Sequence, residues 1–131
     1  MADKSEPDAI PAHVRRFLVL NVASVPHLEA MLLMCEDAAR QWDVLRVARR
    51  LYMKEEAAAA VLADLHAAGI IEPAGEHVYI YRPASDELRE TIRDVGTCYA
   101  RNLRLVTNLI HSRTALQAQQ FADAFKLRKE P

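Results

Sequence analysis

The amino-acid sequence predicts a mostly α-helical fold with one small β-hairpin, and three observations support this. Only three of the 131 residues are glycine, whereas the strong helix formers alanine and leucine are frequent. Apolar residues recur at intervals of three and four along most of the chain. The exception is residues 70–82, where β-branched and aromatic residues flank a turn at Gly75. The length fits a single domain over residues 1–131, with residues 1–8 as a loose tail.

Two helices are expected before residue 43. Pro11 suits a first helical turn, and the apolar residues after it follow helical spacing, although Phe17–Val22 could also form a strand. The second helix begins near Pro26 and carries an apolar stripe over Leu28–Cys35, so it should be buried on most sides. We expect this helix to end over residues 37–42.

A third and a fourth helix then follow as a close pair. Asp43 can accept a backbone hydrogen bond as the N-cap of a helix over Val44–Leu51. Tyr52-Met53 forms the turn, and an alanine-rich helix starts after Lys54, whose side chain cannot accept a capping hydrogen bond. Gly69 can end that helix because glycine adopts positive φ without strain.

The C-terminal part, residues 85–129, is expected to form a helical extension. Ser85 can cap its first helix, and an eleven-residue apolar period over Leu88–Ile110 predicts one long continuous helix. Gly96 in its middle predicts a close helix crossing that offsets the low helix propensity of glycine. A last helix should start near Thr114, where a capping-box pattern occurs.

Composition excludes several functional classes. The formal net charge of −1 provides no global positive field that would draw the protein to a polyanion. Cys35 and Cys98 fall in different predicted helices without metal-ligand spacing, so two reduced thiols in a cytoplasmic protein are expected. Apolar runs are too short to span a bilayer, and the N-terminus has no signal-peptide pattern. We therefore expect no membrane partner.

No catalytic, metal-binding or cofactor-binding pattern is present. The histidines lack the paired spacing of a metal site, and the glycines at positions 69, 75 and 96 are too scattered for a phosphate-binding loop. No G-x-S-x-G elbow occurs. We therefore expect a protein that is not an enzyme and has no cofactor.

The order of helices, turn and hairpin is typical of a winged helix-turn-helix domain. Val47–Leu51 and Val61–Ile71 carry the likeness, and the latter contains the pattern L-x-x-L-x-x-x-G-I-I. Over residues 25–83 the sequence resembles the MarR-like winged-helix regulators of bacteria. The resemblance implies a homodimer formed by helices outside the wing. It also implies DNA binding, in which the third helix of the domain, here the alanine-rich helix after Lys54, enters the major groove.

The helix that this resemblance places in the groove lacks the residues that read bases. Residues 55–76 contain five carboxylates and no lysine or arginine, whereas duplex binding depends on neutralising phosphates. The expected outward face has three open interpretations: an exposed surface of high helix propensity, a protein–protein interface, or weak DNA contact. Four small residues on this face are the candidates for a protein interface: Ala59, Ala60, Ala63 and Ala67.

The cations around this helix are the candidates for contact with DNA phosphates: Arg46, Arg49, Arg50, Lys54 and Arg82. The first three share one helix face at i, i+3 and i+4. That face could be solvated or paired with Glu55 and Glu56, could hold phosphates, or could bind an acidic protein. We expect a non-enzymatic regulator-like protein that contacts duplex DNA mainly through phosphates. The alternative is a protein-interaction module on the same scaffold that does not bind DNA.

Overall fold

The computed structural model describes residues 9–112 as a mostly helical fold with a small antiparallel sheet, which confirms the coarse prediction. The elements follow in the order α1 (Ala12–Asn21), α2 (Val25–Glu36), β1 (Gln41–Asp43), α3 (Val44–Leu51), α4 (Glu55–Ala67), β2 (Ile71–Gly75), β3 (Val78–Tyr81) and α5 (Asp86–Arg101). A further helix, α6, runs over residues 103–112. The predicted tail at residues 1–8 and the helix expected from Thr114 lie outside the described residues.

Local capping chemistry sets the predicted helix ends. Asp43 caps α3 by accepting a hydrogen bond from the backbone nitrogen of Arg46 at 2.7 Å, and Ser85 caps α5 in the same way. The start of α4 has no side-chain cap, because the residue there is Lys54. Gly69 follows α4 with a φ of +81°, as its place at the helix end predicts.

The sheet has three strands rather than the two of the predicted hairpin. Its order is β1-β3-β2, and both pairings are antiparallel. Trp42 of β1 lies opposite Tyr79 of β3 and is buried, so the prediction that residues 37–42 only end α2 is wrong. The alternative strand over Phe17–Val22 is also wrong, because α1 remains helical to Asn21.

The predicted continuous helix over Leu88–Ile110 is interrupted. Its first part, α5, ends at Arg101, and Asn102 leaves the helical region with φ −146° and ψ 65°. The side-chain oxygen of Asn102 accepts a hydrogen bond from the backbone nitrogen of Leu105 at 3.4 Å and so caps α6. The apolar period continues across the break, because Val106 of α6 is buried like the core residues of α5.

Helix packing leaves one side of the α3–α4 pair in solvent. The α4 helix contacts α2, α3 and β2, whereas α1 packs on α5, and α2 packs on both α3 and α5. A Cβ atom at Gly96 would lie 3.4 Å from the side chain of Leu32, so the close helix packing predicted at this glycine is confirmed. Within residues 9–112 no single helix is long and apolar enough to cross a membrane, and only α1 and α2 taken together pass that test, across a bend of 113°.

Candidate nucleic-acid interface

The predicted outward face of α4 is exposed to solvent. The side of α4 that carries Val61, Leu62 and Leu65 is buried against the neighbouring elements. This burial fixes the rotation of the helix and turns the small residues outward. All four alanines proposed as interface candidates are exposed: Ala59, Ala60, Ala63 and Ala67.

Carboxylates make this exposed face negative. Glu55 and Glu56 are exposed in the first turn of α4, and among residues 9–112 no lysine or arginine nitrogen lies within 4.0 Å of either carboxylate. Asp64 lies further along the helix, with its Oδ2 atom 2.8 Å from Nε2 of His27. Two acidic side chains at the helix N-terminus are favourable for α4 itself, but they repel a phosphate that approaches the same surface.

The neighbouring helix α3 presents two arginines that no carboxylate of residues 9–112 neutralises. Arg46 and Arg49 are both exposed, and in the described part of the chain no carboxylate oxygen lies within 4.0 Å of their guanidinium nitrogens. The ion pairs with Glu55 and Glu56 that one interpretation expected are therefore not formed between these residues. Both arginines remain available for an anionic partner.

Arg50 differs from these two arginines because it packs on an aromatic ring. Its guanidinium carbon lies 5.7 Å from the ring centroid of Trp42, and that of Arg40 lies 5.4 Å from the same centroid. Arg40 also donates a hydrogen bond to Oδ2 of Asp37 at 2.6 Å. A guanidinium that stacks on a ring gains cation–π attraction, which holds Arg50 against the buried tryptophan. Arg50 is therefore less available than Arg46 or Arg49 to bind a phosphate.

The remaining two cationic candidates have different surroundings. Lys54 is exposed at the N-cap of α4. Arg82 follows β3, and its Nη1 atom lies 3.4 Å from Oε1 of Glu72, with both side chains more than half exposed. An ion pair this exposed is worth less than about 1 kcal/mol, so a phosphate could displace it.

Tyr52, between α3 and α4, is a candidate residue that sequence patterns did not single out. Its backbone is left-handed, with φ 56° and ψ 48°, and its side chain is 96% exposed. A non-glycine residue in this conformation is strained, and a fully solvated aromatic ring gains nothing from burial. The only sequence signal was an aromatic residue in a short turn between Arg50 and Lys54.

Tyr52 borders a surface recess of about 440 Å³ between the start of α2 and the turn that follows α3. We call this the Tyr52 recess; its lining residues are Val25, Pro26, Glu29, Arg50, Leu51, Tyr52 and Met53. The walls are mostly aliphatic, with one carboxylate and one guanidinium. Oε2 of Glu29 accepts a hydrogen bond from the hydroxyl of Tyr99 at 2.7 Å, which holds the carboxylate in place.

Three other groups with shifted pKa values are structural. Burial and the hydrogen bond to Glu29 raise the pKa of Tyr99 to about 12. Burial and the neighbouring Cys35 thiol raise the pKa of Tyr81, and burial raises the pKa of the Cys98 thiol. All three groups are neutral near pH 7 even at their ordinary pKa values, and the upward shifts reflect burial, which indicates packing roles.

The sequence matches no family model, and neither a curated protein nor a solved structure is significantly similar to it. Within the described part of the chain, no group of three histidine, cysteine, aspartate or glutamate side chains is placed to hold a metal ion. The resemblance to MarR-like regulators therefore remains a prediction. The geometry of α3, α4 and the turn between them is the basis on which a function can be inferred.

Proposed function

We propose that this chain is a non-enzymatic winged helix-turn-helix protein of the transcription-regulator type, which contacts duplex DNA mainly through phosphates. The order of elements supports this fold: the helix pair α3–α4 lies between β1 and β2, and β2 and β3 form a hairpin suited to be the wing. Two free cysteines suit a reducing cytoplasm, where we propose that the protein acts.

The observation that carries the proposal is that Arg46 and Arg49 have no carboxylate partner within residues 9–112. These two guanidiniums lie on one face of an eight-residue helix and do not pair with Glu55 and Glu56, which begin the next helix. A guanidinium binds a phosphate through paired hydrogen bonds, and this binding releases counterions from the duplex. Phosphate contact from α3 would give affinity without sequence discrimination.

Base readout by α4 is not part of the proposal. Alanine methyl groups can touch a thymine methyl but have no donor or acceptor for base edges. The carboxylates of Glu55 and Glu56 would meet phosphates of like charge on either side of the groove. We therefore expect weak sequence preference and strong salt dependence.

Salt titration of duplex binding tests the proposal. Each phosphate contact contributes about −0.9 to the slope of log K against log salt, so replacing Arg46 and Arg49 by alanine should make the slope shallower by about 2. Wild-type affinity should fall about tenfold between about 50 and 200 mM salt through these two contacts alone. The matched control replaces Arg93 and Arg101, which are exposed on α5, and should leave the slope unchanged. Absence of wild-type binding at low salt would refute the proposal.

A second function, protein binding through the outward face of α4, is favoured by the exposed alanines. Small side chains let a partner helix approach closely, and the flanking carboxylates suit a basic partner. Ala63→Arg places a large cation in the middle of this face and should reduce partner capture without changing the melting temperature. Ala38→Arg, at an exposed alanine after α2, is the control. Undiminished capture by Ala63→Arg would exclude this function.

We also propose a homodimer formed by helices outside the wing. Large apolar side chains are exposed on α1 and at the start of α6, where Leu20 is 68% and Leu103 is 59% exposed. Burial of these side chains between two copies would remove apolar surface from water and so favour association.

A further inference from the structure

The turn between α3 and α4 places a tyrosine where glycine is the usual residue. Tyr52 is the left-handed residue that ends α3, and its backbone N–H and that of Met53 donate to the carbonyl oxygens of Arg49 and Ala48. Tyr52 has left-handed backbone geometry, which a glycine would adopt without strain, and its ring is 96% exposed. A strained residue at an exposed surface is a reason to look for a function at that residue. The ring borders a recess of about 440 Å³, so it is also placed beside a cavity of ligand size.

The chemistry of the recess suits a flat, partly polar ring better than an aliphatic chain or a phosphate. Leu51 and Met53 supply apolar contact for the edge of a ring, while the aromatic face of Tyr52 offers a stacking surface. The carboxylate of Glu29 repels phosphate but can accept a hydrogen bond from an exocyclic amino group of a base. A nucleobase has both features, a stacking face and a polar edge.

The cations near the recess suit a ligand that carries phosphates as well as a base. Along the chain, Tyr52 stands between two exposed cations, with Arg49 three residues before it and Lys54 two residues after it. Arg50 lines the recess while it stacks on Trp42. An aromatic ring among cations is the arrangement by which proteins hold single strands, with bases on the ring and phosphates on the cations.

We propose that the Tyr52 recess receives one unpaired base of a nucleic-acid strand, with Tyr52 as its stacking partner and with Arg49 and Lys54 on the adjoining phosphates. The inference rests on the proposed function, because it uses the same cationic side of α3. It goes further because a base inside a duplex is already stacked and cannot enter the recess. Single-stranded ends or distorted sites would therefore bind more tightly than an intact duplex.

Fluorescence anisotropy with labelled probes tests this inference. The probes are an oligodeoxycytidylate and an oligocytidylate of about 12 nucleotides, whose bases carry an exocyclic amino group, and a blunt duplex of similar length, each at about 50 mM salt. Tyr52→Ala should weaken binding of the single strands about tenfold and change duplex binding less than about twofold. Tyr52→Phe keeps the stacking face and should bind within about twofold of wild type. His77→Ala removes another exposed ring at a position of positive φ and is the control for nonspecific loss.

The outcomes separate this inference from the proposed function. Duplex binding that depends on Arg46 and Arg49, combined with single-strand binding that Tyr52→Ala does not weaken, overturns only the base site. Equal weakening of duplex and single strand by Tyr52→Ala also overturns it, since stacking would not distinguish the probes in that way. Displacement of the strand by oligoglutamate as effectively as by unlabelled strand would show that charge alone attracts the ligand, and the base site would again be refuted. Loss of all nucleic-acid binding in the wild type overturns both ideas.

Discussion

Replacing Tyr52 by glycine should stabilise the fold. A left-handed conformation costs an L-residue about 1–2 kcal/mol, and this cost disappears when the Cβ atom is removed. Glycine has a more flexible unfolded chain, which offsets about 0.5–1 kcal/mol of the gain. The ring is 96% exposed, so its removal sacrifices little buried area. The net increase in the free energy of unfolding should be about 0.5–1 kcal/mol, equivalent to a melting temperature about 2–4 °C higher.

Thermal unfolding followed by circular dichroism measures this change, and two further variants serve as comparisons. Tyr52→Ala removes the ring but keeps the Cβ atom, so its stability should stay within about 0.5 kcal/mol of wild type. His77→Gly is a matched control, because His77 is also exposed and has a positive φ of 60°. It should be stabilised for the same reason as Tyr52→Gly. If Tyr52→Gly and Tyr52→Ala both lower the melting temperature, the ring makes stabilising contacts in the free chain and the strain argument is refuted.

Three further predictions address the charge, assembly and ionisation of the chain. Replacing both Glu55 and Glu56 by glutamine should raise duplex affinity about fourfold, because a carboxylate about 10 Å from a phosphate costs about 0.4 kcal/mol in water; unchanged affinity would mean that α4 stays far from the duplex. Leu20→Glu should shift the mass measured by light scattering from dimer to monomer, and an unaltered mass would contradict an interface at α1. Tyr99→Phe loses the hydrogen bond to Glu29 and should be less stable than wild type by about 1 kcal/mol at pH 8. The pKa of Tyr99 is raised from 10.0 to about 12 on folding, so this advantage is complete below pH 10 and should decline between pH 10 and 12; a difference that stays constant over that range would refute the assignment.

The features that depend on local chemistry were predictable from the sequence. Asp43 and Ser85 cap helices because their own oxygens reach backbone groups three residues away, and Gly69 ends α4 because it lacks a Cβ atom. The outward face of α4 follows from the spacing of apolar residues along one helix. None of these inferences requires knowledge of which distant residues meet.

The features that depend on distant contacts were not predictable. The strand around Trp42 has only three residues, too few to display alternation, and it exists because β3 pairs with it. The break at Asn102 could not be predicted because buried apolar residues recur at helical spacing both before and after it, as they would in one continuous helix. The same holds for the candidate site. The acidic character of α4 could be read from its charged residues, whereas the stacking of Arg50 on Trp42 and the exposure of Tyr52 required the structure.

The two helices of the α3–α4 pair impose opposite electrostatic conditions on an approaching nucleic acid. A strand that meets the exposed face of α4 first meets Glu55 and Glu56, whereas a strand that meets α3 first meets Arg46 and Arg49. Because the helices are consecutive, the turn is the border between these surfaces, and Tyr52 lies at that border with its ring in solvent. Docking from the α3 side therefore brings phosphates to the arginines and the first accessible base to the tyrosine. Replacing Tyr52 by glycine should then have opposite effects on two quantities, a higher stability of the free protein and a lower affinity for a single strand, which is the pattern expected when a residue is retained for binding at the expense of the fold.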